Sequence, residues 1–262
     1  MGKLTVADLQ QMKRDGKKIA ATIVYDYQMA LIMDRAGVDL MTVGDSVGRN
    51  MWGQSTHHEI TVDQMILACL AVTRGAQRAV VNCDMPFGPI QESAEAALKT
   101  AIRFVKEAHA DVVKVDNAPA NLEAVRRIAN AGVPVWTQFG FSPQSSLGNA
   151  AFETATAETA KRYKEKILKD AHDLEDAGAS MLDLTHVPDH QIYAEVAQSV
   201  KIPVLGGSSA AGPEADGRIS GFTYREAQID GGGPGHGGEI AKLLLKLAQE
   251  YVENVRAAKQ RV

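Results

Sequence analysis

Cysteine is scarce in this 262-residue chain: Cys69 and Cys83 are the only two, and neither sits in a CxxC or Cys/His pattern. That spacing excludes a cysteine-built zinc site and a disulfide framework and fits a reducing compartment. No apolar run reaches the length that spans a bilayer, and the first twenty residues hold no hydrophobic stretch of signal-peptide length, so a cytoplasmic protein without a membrane partner is expected. Charge of one sign is missing too. The formal net charge is −4, with no basic stripe or block behind it, which removes nucleic acid as an expected partner and leaves small molecules. The glycine run GGGPGHGG at 231–238 lacks the Lys-Ser/Thr of a Walker loop and reads as a connection before a last helix.

What is present is an ordinary globular composition, 45% hydrophobic and 23% charged, long enough to bury a sizeable core. Short β-branched runs recur at 19–24, 39–44, 78–83, 111–115, 133–139, 180–185 and 202–207, with GRISGF at 217–222 as an eighth candidate. Amphipathic stretches separate them, among them YQMALIMDRAG, VDQMILACLAVTRGA, SAEAALKTAIRFVKEAHA and the long TAKRYKEKILKDAHDLEDAGA over 159–179. Strict alternation implies a parallel sheet, and right-handed crossovers close such a sheet into a (β/α)8 TIM barrel. An open doubly wound sheet is the alternative, but its glycine-rich phosphate turn is missing after the first run, which leads into YDYQMA. A single barrel domain over 1–262 is therefore expected, with an N-terminal helix over 1–17 and a C-terminal helix over 239–260.

In a parallel barrel the chemistry gathers at the C-terminal ends of the strands. Asp45 and Ser46, Asp84, Lys114 and Asp116, Gln138, Asp183, Thr185 and His186, and Ser208 and Ser209 occupy those ends. Lys114 and Asp116 stand two apart in an extended run and so share a face. Three carboxylates, Asp45, Asp84 and Asp116, converging on one space repel one another unless a hard cation lies among them, and Mg²⁺ suits oxygen donors. The plainer alternative is that Asp45 and Asp84 cap the helices that follow them.

The pieces YDYQMALIMDRAGVDLMTVGDSVG, TVDQMILACLAVTRGA, DMPFG, VVKVD, GVPVW, GFSPQS, DLEDAGA, HVP and IPVLG, in that order over about residues 18–218, resemble the ketopantoate hydroxymethyltransferase family of pantothenate biosynthesis. The resemblance implies a barrel related to the phosphoenolpyruvate mutase and isocitrate lyase enzymes. It also implies Mg²⁺, a 2-oxo acid substrate and 5,10-methylenetetrahydrofolate as the one-carbon donor. Carried over, Asp45 and Asp84 become metal ligands, Asp116 a carboxylate linked to the metal through water, and Ser46 and Lys114 donors to the oxo acid.

Departures from the family pattern are specific. Thr185 stands where the family carries the glutamate held to move the substrate proton, which leaves Asp183 or His186 to act as the base. Gln138 replaces a histidine, and both Gln138 and Thr185 are expected to line the substrate site. GNAAFETATAETA and LGGSSAAGPEADGR replace the family's loops after SPQS and near the seventh strand. The expected reaction is transfer of a hydroxymethyl group to 3-methyl-2-oxobutanoate. Aldol or retro-aldol chemistry on another 2-oxo acid, or silent oxo-acid binding, are the alternatives; the Lys-x-Lys-Cys-Gly motif of the lyases is absent from the sequence. Self-association is expected as for many barrels. His57 and His58 read as a solvated lid loop, Trp52 as either a pocket cover or packing, and His236 as exposed. Cys83, Met29 and Met33 read as core filling.

Overall fold

Runs rich in Val, Ile, Leu and Met have no polar face to give to water, so they form strands covered on both sides. Eight do so here: β1 (Ile19–Ile23), β2 (Leu40–Val43), β3 (Val80–Asp84), β4 (Val112–Val115), β5 (Val135–Gly140), β6 (Met181–Thr185), β7 (Val204–Gly207) and β8 (Gly217–Gly221). Each pairs in parallel with the next, in the order β1 to β8, and the sheet closes into a barrel. The closed order removes the open doubly wound alternative. The structure is a computed structural model that describes residues 2–141, 156–207 and 215–221, and residues 239, 240, 242, 243, 245, 246, 249 and 250. Met1–Ser220 form one compact unit and Gly221–Val262 a second, in which the described residues from 239 to 250 are helical.

Helices follow the strands: α1 (Val6–Arg14), α2 (Tyr27–Arg35), α3 (Val47–Trp52), α4 (Val62–Gly75), α5 (Pro89–Glu92), α6 (Ala94–Glu107), a 3-10 turn (Ala118–Asn121), α7 (Leu122–Asn130), α8 (Ala157–Arg162), α9 (Lys164–Asp176) and α10 (His190–Ser199). Short polar residues start most of them. Thr5, Asp26, Thr61, Ser93, Thr156 and Asp189 each accept a hydrogen bond from a first-turn N–H. Two boundaries differ from expectation. The N-terminal helix is confined to 6–14 because the Thr5–Asp8 capping box fixes its start. The single helix expected over 159–179 is broken at Tyr163, which ends α8, begins α9 and sets its ring edge-on to Phe141, centroids 6.2 Å apart. Among the described residues, no helix is long and apolar enough to cross a membrane.

The barrel interior has an apolar floor. Ile19, Ala21, Leu40, Val80, Val112, Trp136, Met181, Leu205 and Ile219 pack together with Leu9 of α1, which is fully buried and closes the N-terminal end. Lys13, one turn beyond Leu9, donates to the carbonyls of Ala197 (2.7 Å) and Ile202 (2.9 Å) and to Asp216 Oδ2 (2.8 Å). Closure between β8 and β1 needs a bare backbone at Gly217, where a Cβ would lie 2.5 Å from the carbonyl oxygen of Ile19.

Candidate active site

Strand alternation carries the floor into a polar storey. Two and four positions beyond the floor residues come Thr42 on β2, Asn82 and Asp84 on β3, Lys114 and Asp116 on or just past β4, Gln138 on β5, and Asp183 and Thr185 on β6. All eight are buried. The pairing register sets Asp84 beside Lys114 and Gln138 beside Asp183.

Buried polar groups must find partners, and these find one another. Asn82 Nδ2 donates to Thr42 Oγ1 (2.7 Å) and to Asp84 Oδ1 (2.6 Å), and the Thr42 hydroxyl donates to the same Asp84 oxygen (3.1 Å). That leaves Asp84 Oδ2 facing Lys114 Nζ at 3.4 Å. Lys114 donates to Asp183 Oδ2 (3.0 Å) and lies 4.7 Å over the centre of the Trp136 ring. Burial pushes the Asp84 carboxyl up to about 6, helped by the negative charges of Asp45 and Asp183, against the pull of Lys114 and the Asn82 hydrogen bond. Burial works the other way on Lys114, but Asp84 and Asp183 outweigh it and hold the ammonium above its ordinary range. The lysine is thus a fixed cation among more negative charge than it neutralises.

The end of β2 adds Gly44, Asp45 and Ser46. A Cβ on Gly44 would lie 2.9 Å from Ser46 Oγ and 3.5 Å from Asp84 Oδ2, so the bare glycine keeps open a small space that both oxygens flank. Neither aspartate caps a helix. Ser46 occupies the N-cap of α3, and Gly88 that of α5. Asp45 Oδ1 instead meets His57 Nδ1 at 3.2 Å, and Arg49 Nη1 lies 3.4 Å from the other ring nitrogen. His57 is therefore part of the site's frame rather than a solvated lid. His58 packs its ring edge against Phe87, centroids 4.6 Å apart, while Trp52 ends α3 half exposed. Tyr25, just past β1, hydrogen-bonds through its hydroxyl to Ser46 Oγ (2.6 Å) and accepts from Asn50 Nδ2 (2.6 Å).

At the mouth, Asp116 Oδ1 accepts from the Asn117 N–H (2.6 Å), and Asn117 has a left-handed backbone, φ 46°. His186 follows Thr185 with φ 53°, so the chain has already turned off the strand there, and the imidazole is exposed at the barrel end. Local burial still holds its pKa below the ordinary value; Asp183 opposes this, and Lys114 and His57 reinforce it. Cys83 points outward and approaches the Met65 carbonyl at 3.9 Å, which is packing. Ser208, Ser209, His236 and residues 148–155 of the loop after SPQS lie outside the described residues.

The oxygens around Gly44 suit a hard cation. Among the described residues no three His, Cys, Asp or Glu side chains group as a metal cage. An ion here would meet the Asp84 carboxylate and the Ser46 hydroxyl, with water or substrate oxygens completing its shell, as Mg²⁺ is commonly bound. Tyr25, Asn50, Asn82 and His57 escape a reading confined to charged strand ends. Tyr25 follows β1 at the position corresponding to those ends, and Asn82 lies one pleat below Asp84, so the alternation that finds Lys114 and Asp116 would have found Asn82 also.

Comparison with known proteins bears on the family and the fold. The model of the family described as ketopantoate hydroxymethyltransferase matches residues 3–223. A 3-methyl-2-oxobutanoate hydroxymethyltransferase of Bacteroides fragilis is 40% identical over 217 residues, covering 83% of this chain and 78% of the relative. Another of that name from Chlorobaculum parvum is 36% identical over 261 residues, covering 97% and 92%. The fold is similar to that of 2,3-dimethylmalate lyase, a PEP mutase/isocitrate lyase superfamily member, with TM-score 0.67 at 12% identity, covering 99% of this chain and 92% of that one. It is also similar to a phosphonopyruvate hydrolase solved with oxalate and Mg²⁺, with TM-score 0.62 at 10% identity, covering 97% and 87%.

Proposed function

The chain belongs to the ketopantoate hydroxymethyltransferase family, and on that premise we propose that it transfers a hydroxymethyl group from 5,10-methylenetetrahydrofolate to C3 of 3-methyl-2-oxobutanoate in the cytoplasm. Asp45 and Asp84 would hold Mg²⁺, with Asp116 linked to it through water. The observation that carries this reading is the open space at Gly44, flanked by Ser46 Oγ and Asp84 Oδ2 and backed by the Lys114 ammonium. Bound there, Mg²⁺ would polarise the oxo acid and stabilise the negative charge that develops as the C3 proton leaves.

The rest falls to side chains of this chain. Ser46 and Lys114 would donate to the substrate carboxylate and oxo oxygens. Lys114 is held for that role by its pair with Asp183 and by the Trp136 face. Asp183 sits in a buried pair with the lysine, and His186 stands at the exposed end of the strand with its pKa held below the ordinary value, mainly by burial. His186 is therefore our choice for the base in place of the family's glutamate. Gln138 and Thr185 would line the pocket as uncharged neighbours, so the proton acquires no second carboxylate acceptor beside it.

The test is deuterium exchange at C3 of 3-methyl-2-oxobutanoate in D₂O, followed by NMR with Mg²⁺ or with chelator. Mg²⁺-dependent exchange, followed by product formation when methylenetetrahydrofolate is added, is the expected result. An absence of exchange with Mg²⁺ demonstrably bound would overturn this choice of substrate.

A further inference from the structure

A carboxylate has two oxygens, and the fold treats those of Asp84 differently. Oδ1 is tied from two sides, by Asn82 Nδ2 at 2.6 Å and by the Thr42 hydroxyl at 3.1 Å. The same Asn82 NH₂ also donates to Thr42 Oγ1 (2.7 Å), so three side chains close a small ring on that one oxygen. Oδ2 lies outside the ring. It faces Lys114 Nζ at 3.4 Å and borders the space at Gly44, 3.5 Å from where a Cβ would stand. The amide cannot turn over, because its oxygen would then meet an ionised carboxylate at hydrogen-bond distance with no proton between them. Its orientation has a cost: among the described residues Asn82 Oδ1 finds no hydrogen-bond partner, although the side chain is fully buried. An apolar side chain at 82 would avoid that desolvation penalty.

We propose that Asn82 and Thr42 are positioning residues that hold Asp84 to a single ligating oxygen and thereby select Mg²⁺ over Ca²⁺. This rests on the reading that a divalent cation binds at Asp84. Ca²⁺ is the larger ion, takes more oxygens in flexible geometry and accepts both oxygens of one carboxylate, whereas Mg²⁺ demands near-ideal octahedral geometry. With Oδ1 kept in the ring, the carboxylate cannot turn both oxygens toward Gly44. The coordination position that a second Asp84 oxygen would fill stays available to the carboxylate or oxo oxygen of a 2-oxo acid.

The test is calorimetric titration of the metal-free full chain, without oxo acid, using MgCl₂ and separately CaCl₂. Wild type is compared with Thr42→Val, Asn82→Leu, the double variant and Thr42→Ser. The quantity read is the ratio of the Ca²⁺ Kd to the Mg²⁺ Kd, because general damage to the fold or a change in carboxyl ionisation weakens both ions alike and cancels. In the double variant the ratio should fall about tenfold, the worth of one hydrogen bond to a charged group, through tighter Ca²⁺ binding. Each single apolar variant should lower it by less, and Thr42→Ser, which keeps the hydroxyl, should retain the wild-type ratio. If the double variant does not fold, the nearly isosteric Thr42→Val decides by the same ratio. A wild type with no preference for Mg²⁺, an unchanged ratio in the apolar variants, or a fall in Thr42→Ser equal to that in Thr42→Val overturns the proposal and leaves the functional reading in place. A wild type that binds neither ion overturns the reading of this site as a metal centre, and the proposal with it.

Discussion

The floor of the barrel and the storey above it are built on the same strands and obey opposite rules. Below, residues such as Leu40, Val80, Trp136 and Met181 bury apolar surface around Leu9. Two residues further along, the inward positions become Thr42, Asn82, Lys114 and Asp183, each buried and each held by its neighbours. A buried ion network is weak evidence for stability, because desolvation consumes most of what pairing returns. The contrast teaches that the lower half makes the barrel and the upper half strains against it for the sake of chemistry.

Removing a charge from the upper half should make the largest difference. Asp84→Ala is expected to lower Mg²⁺-dependent C3 exchange by roughly 1,000-fold, as loss of a principal electrostatic stabiliser does, while the metal-free melting temperature shows no matching loss. A variant that instead loses stability and keeps exchange would erase the distinction between the halves. The mirror experiment is Leu9→Ala. Cavity formation under the floor should cost about 3 kcal/mol, read as a fall in Tm of about 6–10 °C, with exchange at 25 °C within about twofold of wild type. His186→Gln comes next, with exchange reduced roughly 100-fold and unfolding unchanged; if Asp183→Asn gives the larger exchange defect with Lys114 still protonated, the base is the strand residue.

The smallest effect sharpens the comparison through pH. The folded pKa of Asp84, about 6, exceeds its ordinary 3.8, so the folded state holds this proton more tightly than the unfolded chain. Its contribution to stability is fully present below about pH 4 and is lost as pH rises through 6, an effect on the order of 3 kcal/mol. Metal-free protein should therefore gain in Tm relative to Asp84→Asn as pH falls from 7.5 to 5. The stabilisation conferred by Mg²⁺ should run the opposite way, growing as pH rises, because the ion needs the ionised carboxylate.

These two halves are not equally legible in sequence. Strands covered on both faces are near-continuous apolar runs, so β1 to β8 stand out, down to GRISGF, whose first five residues form β8. Charged strand ends are legible for the same reason, since a carboxylate such as Asp84 is conspicuous after VVNC. What does not show is contact across loops. His57 reaches Asp45 from twelve positions away, and nothing in STHHEIT marks which of its two histidines faces inward. The break at Tyr163 is hidden because the apolar period runs through it, and the six residues of α3 are too few to display a period. Asn82 is neutral and so escapes a search for charge, although it fixes the orientation of the carboxylate that the search finds.

The tie that Lys13 makes to Asp216 also has a kinetic meaning. The two residues are 203 positions apart, and the same Asp216 carboxylate accepts the Val204 N–H (2.8 Å) while its carbonyl receives the Ile19 N–H (2.9 Å). α1 thus finds its anchor only when the residues leading into β8 have been made. Contacts so distant in sequence form slowly, and until they form the unclosed sheet exposes the edges of β1 and β8. Until the chain has been made through β8, Leu9 has no sealed floor to plug, so closure of this barrel follows synthesis of residues 216–221.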